Sequence, residues 1–108
     1  MSKKLAKNTK VKRKAKGAEG EKYILQLFVA GILPNSTRAI INIKAICEKH
    51  LNGRHELEII DIYQQPNLAL SEDILAIPLL IKKFPKPQVR LIGDLSNTEK
   101  VLEALNLI

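Results

Sequence analysis

Residues 23–30 read "YILQLFVA", apolar at nearly every position. A run of that length without polar alternation is the pattern of a strand covered on both faces, which places it in the middle of a sheet. Gly31 and Pro34 interrupt it, and the polar pair Asn35-Ser36 can cap a helix by accepting backbone N–H groups left over in the first turn. Ala39, Ile40, Ile43, Ile46 and Cys47 then recur at helical spacing, which predicts a helix with one apolar face. Its end is expected near Asn52-Gly53, where a left-handed residue costs little.

The stretch "LEIIDIY", residues 57–63, is rich in β-branched and apolar residues and predicts a second strand, so that strand, helix and strand form a right-handed crossover unit. Pro66-Asn67 opens a turn, and "LALSEDILA" predicts a short helix that must stop or bend before Pro78. "PLLIKKFPKPQVRLI" reads as two strands around a proline-rich turn at 84–87, a hairpin signal. In "GDLSNTEKVLEALNLI", Ser96 and Glu99 have the spacing of a capping box, and Val101, Leu102, Leu105 and Ile108 make one apolar face. The order β-α-β-α-β-β-α is the thioredoxin topology, an α/β fold.

Composition adds a boundary. At 108 residues with a hydrophobic fraction of 45%, the chain is one domain's worth and can bury a core. No apolar run approaches the roughly 18 residues of a membrane span, and the start of the chain lacks the apolar core of a secretory signal, so a cytoplasmic protein is expected. The net charge of +7 is unevenly spread: Lys3, Lys4, Lys7, Lys10, Lys12, Arg13, Lys14 and Lys16 stand in the first sixteen positions with no acid among them. The other ten basic residues face all eleven acidic ones, leaving about −1 for the rest. Residues 1–20 therefore predict a basic arm, disordered in the free protein, and 21–108 the folded domain. Such an arm either solubilises the chain or attracts nucleic acid electrostatically, and it carries no aromatic for base stacking.

Candidate chemistry is sparse. A thioredoxin places a reactive cysteine pair in the turn after its first central strand, but residues 31–36 contain no cysteine, histidine or acid. The single cysteine, Cys47, cannot form an internal disulfide, and no paired Cys/His spacing suggests zinc. No cofactor is implied, and an enzyme would lack an activated nucleophile. Cys47 is expected to be a small buried hydrophobe, and His50 and His55 to be helix-end cations.

"LFVAG", "PNSTRAI", "IIDIYQQPNLA", "DILAIPLL" and "LIGDLSNTEKVLEAL" together resemble the KaiB family, the small thioredoxin-like proteins of the cyanobacterial circadian oscillator and related bacterial systems. The resemblance implies a non-enzymatic regulator that binds the ring of a KaiC-like ATPase, with a KaiA-like protein or a histidine kinase as further partner and a homo-oligomer, dimer or tetramer, as one state. It also implies a second arrangement, the KaiB ground-state α+β fold with a rearranged C-terminal half. By the same resemblance Asn35, Arg38, Lys82 and Arg90 are partner-binding, and Pro78, Gly93, Asp94, Ala104 and Asn106 belong to the structural or refolding region. Pro78 stands where thioredoxin-like folds use a cis proline. The chain also departs from the family: Ala104-Leu105-Asn106 replaces a common Gly-Leu-Asp, Glu58 stands where lysine is frequent, and the stretch 70–73 differs from the usual acidic run followed by lysine. Alanine favours helix over glycine by about 0.8–1 kcal/mol, which tilts the balance toward the thioredoxin-like arrangement. The changes at Glu58 and 70–73 put a different charge pattern at the implied ATPase surface, suiting stress adaptation as well as a clock.

Overall fold

The computed structural model describes residues 21–108, and the expected basic arm, residues 1–20, lies outside the described residues. Strand β1 (Tyr23–Val29) is followed by helix α1 (Pro34–His50), strand β2 (His55–Asp61), helix α2 (Pro66–Ser71), strands β3 (Leu79–Phe84) and β4 (Val89–Ile92), and helix α3 (Thr98–Ala104). The sheet order is β2-β1-β3-β4, with β2 parallel to β1, and with β1–β3 and β3–β4 antiparallel. This is the thioredoxin-like α/β arrangement predicted from the pattern.

β1 carries the sheet because it lies between two partner strands and is packed on both faces over its carboxyl half. Leu25, Leu27 and Val29 pack with Ala39, Ile43, Ile46 and Cys47 of α1 and with Val101 and Leu102 of α3. Phe28 faces the other way, into a smaller cluster with Ile60, Leu79 and Ile81 beneath Leu68 of α2. A strand buried on both sides has no use for polar alternation, which is why the run at 23–30 is nearly all apolar.

Local boundaries follow backbone chemistry the pattern hid. α1 begins at Pro34, whose missing N–H is harmless in the first turn, with Leu33 as N-cap and no side-chain cap. The predicted cap Asn35-Ser36 is thus corrected: Ser36 is buried and its Oγ accepts from the Ala30 N–H at 3.0 Å, tying the helix back to β1. β2 starts two residues earlier than predicted and stops at Asp61, whose side chain turns the chain by accepting from the Tyr63 N–H at 2.9 Å. α2 starts at Pro66 and ends at Ser71, short of the predicted 68–76, because Asp73 takes a left-handed φ of 59°. The capping box at Ser96 is also corrected: Asn97 is the N-cap of α3 and accepts from the Lys100 N–H, while the Ser96 N–H is used by Asp94.

The close of α3 meets the start of β1. α3 closes in a Schellman motif, with the Leu107 N–H donating to the Leu102 carbonyl at 2.8 Å and the Asn106 N–H to Glu103 at 3.0 Å. Asn106 supplies the left-handed residue, φ 65°. The Tyr23 hydroxyl then donates to the Leu105 carbonyl at 2.9 Å, pinning the end of α3 to the sheet. Burial pushes the phenol's pKa up and Arg54 pulls it back, so the ring remains a neutral donor at physiological pH. Ile108 falls off the predicted apolar face and is exposed.

Tyr23→Phe removes the donor and leaves a buried carbonyl short of its partner, so urea unfolding should show a loss of about 1–2 kcal/mol at an unchanged m-value. An unaltered midpoint would mean that packing alone holds α3.

Candidate functional site

Strand directions gather one rim. β1, β2 and β4 end, and β3 begins, on the same side of the sheet, the side where open α/β folds bind their ligands. The rim therefore comprises the β1–α1 turn, the turn after Asp61, the segment before Leu79 and the bend after Ile92.

Its inner layer is fixed by hydrogen bonds. The Asp61 carboxylate accepts from the Gly31 N–H at 3.4 Å as well as from Tyr63, joining the first two turns. Gly31 has φ 54°, and a Cβ there would stand 3.7 Å from the Tyr63 ring, so the ring lies directly over the turn. The Ile77-Pro78 bond is cis, as expected from the resemblance, and the Pro78 carbonyl accepts from the Gly93 N–H at 2.9 Å. Gly93 adopts φ 116°, a conformation that suits a residue without Cβ.

Asp94 ties this bend to α1. Its Oδ2 is 3.2 Å from Arg38 Nε, its Oδ1 accepts from the Ser96 N–H at 3.1 Å, and its carbonyl accepts from Asn42 Nδ2 at 2.8 Å. Arg38 also donates to the Asn35 side chain. The hydrogen bonds from Ser96, and after them the Arg38 guanidinium, hold the Asp94 carboxyl below its usual range.

The outer layer is apolar. Ile32 is 94% exposed, and Leu33 and Tyr63 stand beside it more than half exposed, with Arg38 as the flanking cation. Large side chains left in water together mark a contact surface. The pattern did not flag these residues, although "GILP", two large apolar residues inside a turn, was the available signal.

Of the residues singled out from sequence, Asn35, Arg38, Pro78, Gly93 and Asp94 come together here. Lys82 does not: it is 3% exposed, with its Nζ 6.0 Å from the Tyr23 ring, which corrects its expected place on the surface. Arg90 stays exposed but lies against the end of α2, donating to the Glu72 carbonyl at 2.5 Å and the Asp73 carbonyl at 3.3 Å. Lys83 completes that clamp, 2.6 Å from the Glu72 carboxylate. Ala104 and Asn106 lie at the opposite end of the sheet, at the close of α3. His55 Nδ1 is 2.8 Å from the Leu51 carbonyl beyond the end of α1.

Thiol chemistry has no place on the rim. Cys47 is buried under α1, and burial pushes its pKa up to about 11. Among the described residues no cluster of three or more His, Cys, Asp or Glu side chains could hold a metal ion, and no helix is long and apolar enough to cross a membrane.

A four-stranded mixed sheet between helices, with a cis proline on the rim and no cysteine in the β1–α1 turn, defines a thioredoxin-like domain without the redox pair. Solved structures agree on the fold: chloroplastic thioredoxin z superposes with a TM-score of 0.67 at 18% identity, covering 83% of this chain and 81% of that one. The N-terminal domain of SasA from Synechococcus elongatus gives 0.65 at 24% identity, covering 89% and 94%. Within that class the chain belongs to the KaiB family, whose domain matches residues 26–107. It is 50% identical over 86 residues to the circadian clock oscillator protein KaiB of Prochlorococcus marinus subsp. pastoris, covering 80% of each chain. It is 45% identical over 85 residues to the circadian clock protein KaiB3 of a Synechocystis species, covering 79% of this chain and 83% of that one.

Two outcomes follow from the ionisable groups. Because the folded pKa of Asp94 is lowered, its contribution to stability is present above the unfolded value of about 3.9 and is lost as pH falls through the lower folded value. The stability difference between wild type and Asp94→Asn should therefore be flat above about pH 5 and shrink below about pH 4 in urea titrations; a pH-independent difference would contradict the assignment. Cys47, with a pKa near 11, is almost wholly protonated at neutral pH. A disulfide reagent should label it at least roughly a hundredfold more slowly in the native protein than in urea.

Proposed function

We propose that this chain is a regulatory protein-binding module of the KaiB type that acts on a KaiC-like ATPase, in circadian-like timing or stress adaptation, without catalysis of its own. The observation that carries the reading is the rim: the turn that holds the reactive cysteines of a thioredoxin here presents Ile32 and Leu33 to water, beside Tyr63 and Arg38. Apolar anchors next to an arginine, on a turn held by Ser36 and Asp61, are the composition of an interface centre. The buried, protonated Cys47 supports binding over thiol turnover.

Membership of the family supports this choice of partner class. KaiB relatives at about half identity are named for the clock oscillator, which favours a KaiC-like ATPase as first partner and a KaiA-like protein or a histidine kinase as second. The departures at Glu58 and 70–73 lie away from the rim: Glu58 accepts from Gln26 on β1, and Glu72 is held by Lys83 and Arg90. Glu58 and Glu72 thus have partners within the domain, while Leu70 is exposed, and none of these positions belongs to the rim, which remains available as a docking surface.

The test is size-exclusion chromatography with light scattering on the protein alone and after incubation with its cognate KaiC-type ATPase and ATP. Co-elution is expected, and the mass of the free protein gives its oligomeric state. Ile32→Asp, on an exposed turn, should leave the fold intact and weaken the complex by about 2 kcal/mol or more, roughly thirtyfold in affinity. Wild type that does not co-elute would sink the ATPase reading; a variant that binds as tightly as wild type would move the interface off the rim.

A further inference from the structure

One free edge of the sheet ends at the rim. β4 is the outermost strand on the β3 side, and among the described residues it has no neighbour on its other flank. Its register decides which backbone groups that edge offers. The Gly93 N–H donates to the Pro78 carbonyl, and the pairs Leu80–Leu91 and Lys82–Val89 follow at every second residue, so the N–H and C=O groups of Arg90 and Ile92 point away from β3. These two residues, about 7 Å apart, offer four hydrogen bonds to an added strand.

A groove of about 440 Å³ runs beside that edge, between β4 and α3, and reaches the rim at Gly93 and Asp94. Leu91, Leu95 and Val101 form its apolar floor, and Lys100 of α3 stands on its wall. The other charges lining it are already committed: Arg90 to Glu72 and the carbonyls that close α2, and Asp94 to Arg38 and the Ser96 N–H. The Lys100 ammonium has no ion-pair partner among the described residues. Side chains of an added strand alternate between faces, so one that stands between the two hydrogen-bonded positions lies on the Leu91 face, over this floor and beside Lys100. A second copy pairing edge to edge would set one positively charged groove against another, a like-charge arrangement that opposes it.

We propose that the partner on the rim adds an extended, acidic segment to the free edge of β4, its backbone pairing with the N–H and C=O groups of Arg90 and Ile92 and a carboxylate side chain entering the groove to meet Lys100. This rests on the reading of the rim as the docking surface for a KaiC-like ATPase, and it gives the contacting segment of that partner a chemistry. The turn and the edge divide the work. Ile32, Leu33 and Tyr63 supply apolar area, whereas the edge fixes register, because backbone pairing is directional and Lys100 selects one charge sign.

Hydrogen exchange tests the pairing, read residue by residue by mass spectrometry on the full chain alone and with its cognate KaiC-type ATPase and ATP. The Arg90 and Ile92 amides should exchange about tenfold or more slowly in the complex, while Leu91 and Gly93, already bonded to β3, change little. Ile92→Pro deletes the outward donor and keeps the ladder to β3, so affinity should fall about tenfold or more, whereas Ile92→Ala keeps the N–H and should stay within about threefold of wild type. Lys100→Glu should weaken the complex by about tenfold through the reversed charge. Should Ile92→Pro lose its fold, the exchange data and Lys100→Glu, at an exposed position of α3, decide alone. Protection of both amides in the free protein together with a doubled mass would assign the edge to a second copy and overturn the proposal. A complex that depends on Ile32 yet leaves both amides exchanging as in the free protein would overturn it while the rim reading stands, and absence of any complex would remove both.

Discussion

Everything in this domain hangs on a single strand being wanted from both sides. β1 shares a parallel ladder with β2 and an antiparallel one with β3, and its side chains fill cores above and below the sheet. The parallel pairing requires a crossover, which α1 provides, and the antiparallel pairing allows the second half to be a simple hairpin with a helix appended. Because the central ladder joins the two halves, a change in how β3 is paired alters what covers Phe28 and Leu27 together. The C-terminal half is therefore anchored at both ends of β1, by Tyr23 to Leu105 at one end and by Arg38 and Asn42 to Asp94 at the other.

That geometry also decides where function can sit. The amino end of β1 is used up in holding α3, with Lys82 and Arg54 against the Tyr23 ring. The carboxyl end is closed from within by hydrogen bonds to Ser36, Asp61 and Pro78, so its outer side chains are not needed for folding. Ile32 and Tyr63 are consequently free to be large, apolar and exposed without cost to the core. A thioredoxin-like scaffold without a cysteine in this turn still holds the turn outward, fixed by those hydrogen bonds.

Hydrophobic pattern made the architecture legible, because burial on two faces, helical period and proline-bounded hairpins are written in residue type. It read β1, the apolar side of α1, the β3–β4 hairpin and the core of α3 from the positions of Leu25, Ile43, Leu80 and Val101. Caps were less legible: Asn35-Ser36 and Ser96 have the right chemistry, but whether an Oγ caps its own helix or reaches back to another strand depends on tertiary approach. Charge was least legible. Lys82 and Arg90 alternate between faces of a strand pair, and only the pairing register reveals that one lies under Tyr23 while the other closes α2. Resemblance supplied the rim residues that pattern could not, since Arg38 and Asp94 are 56 positions apart and meet only through the fold.

The close of α3 shows how local preferences bear on the thioredoxin-like arrangement. Ala104 is the last helical residue, and alanine favours helix by about 0.8–1 kcal/mol over glycine. Two residues on, the Schellman turn demands a left-handed conformation, and Asn106 pays less for it than other side chains because its short amide suits that region. The gain at one position and the modest cost at the other act on the same turn, and both count only when α3 is formed. Adding the Tyr23 hydrogen bond, which needs the Leu105 carbonyl at the end of that helix, makes the C-terminal half more dependent on the thioredoxin-like packing than composition alone would suggest. The alanine at 104 and the phenol at 23 therefore push in one direction from opposite ends of the described residues.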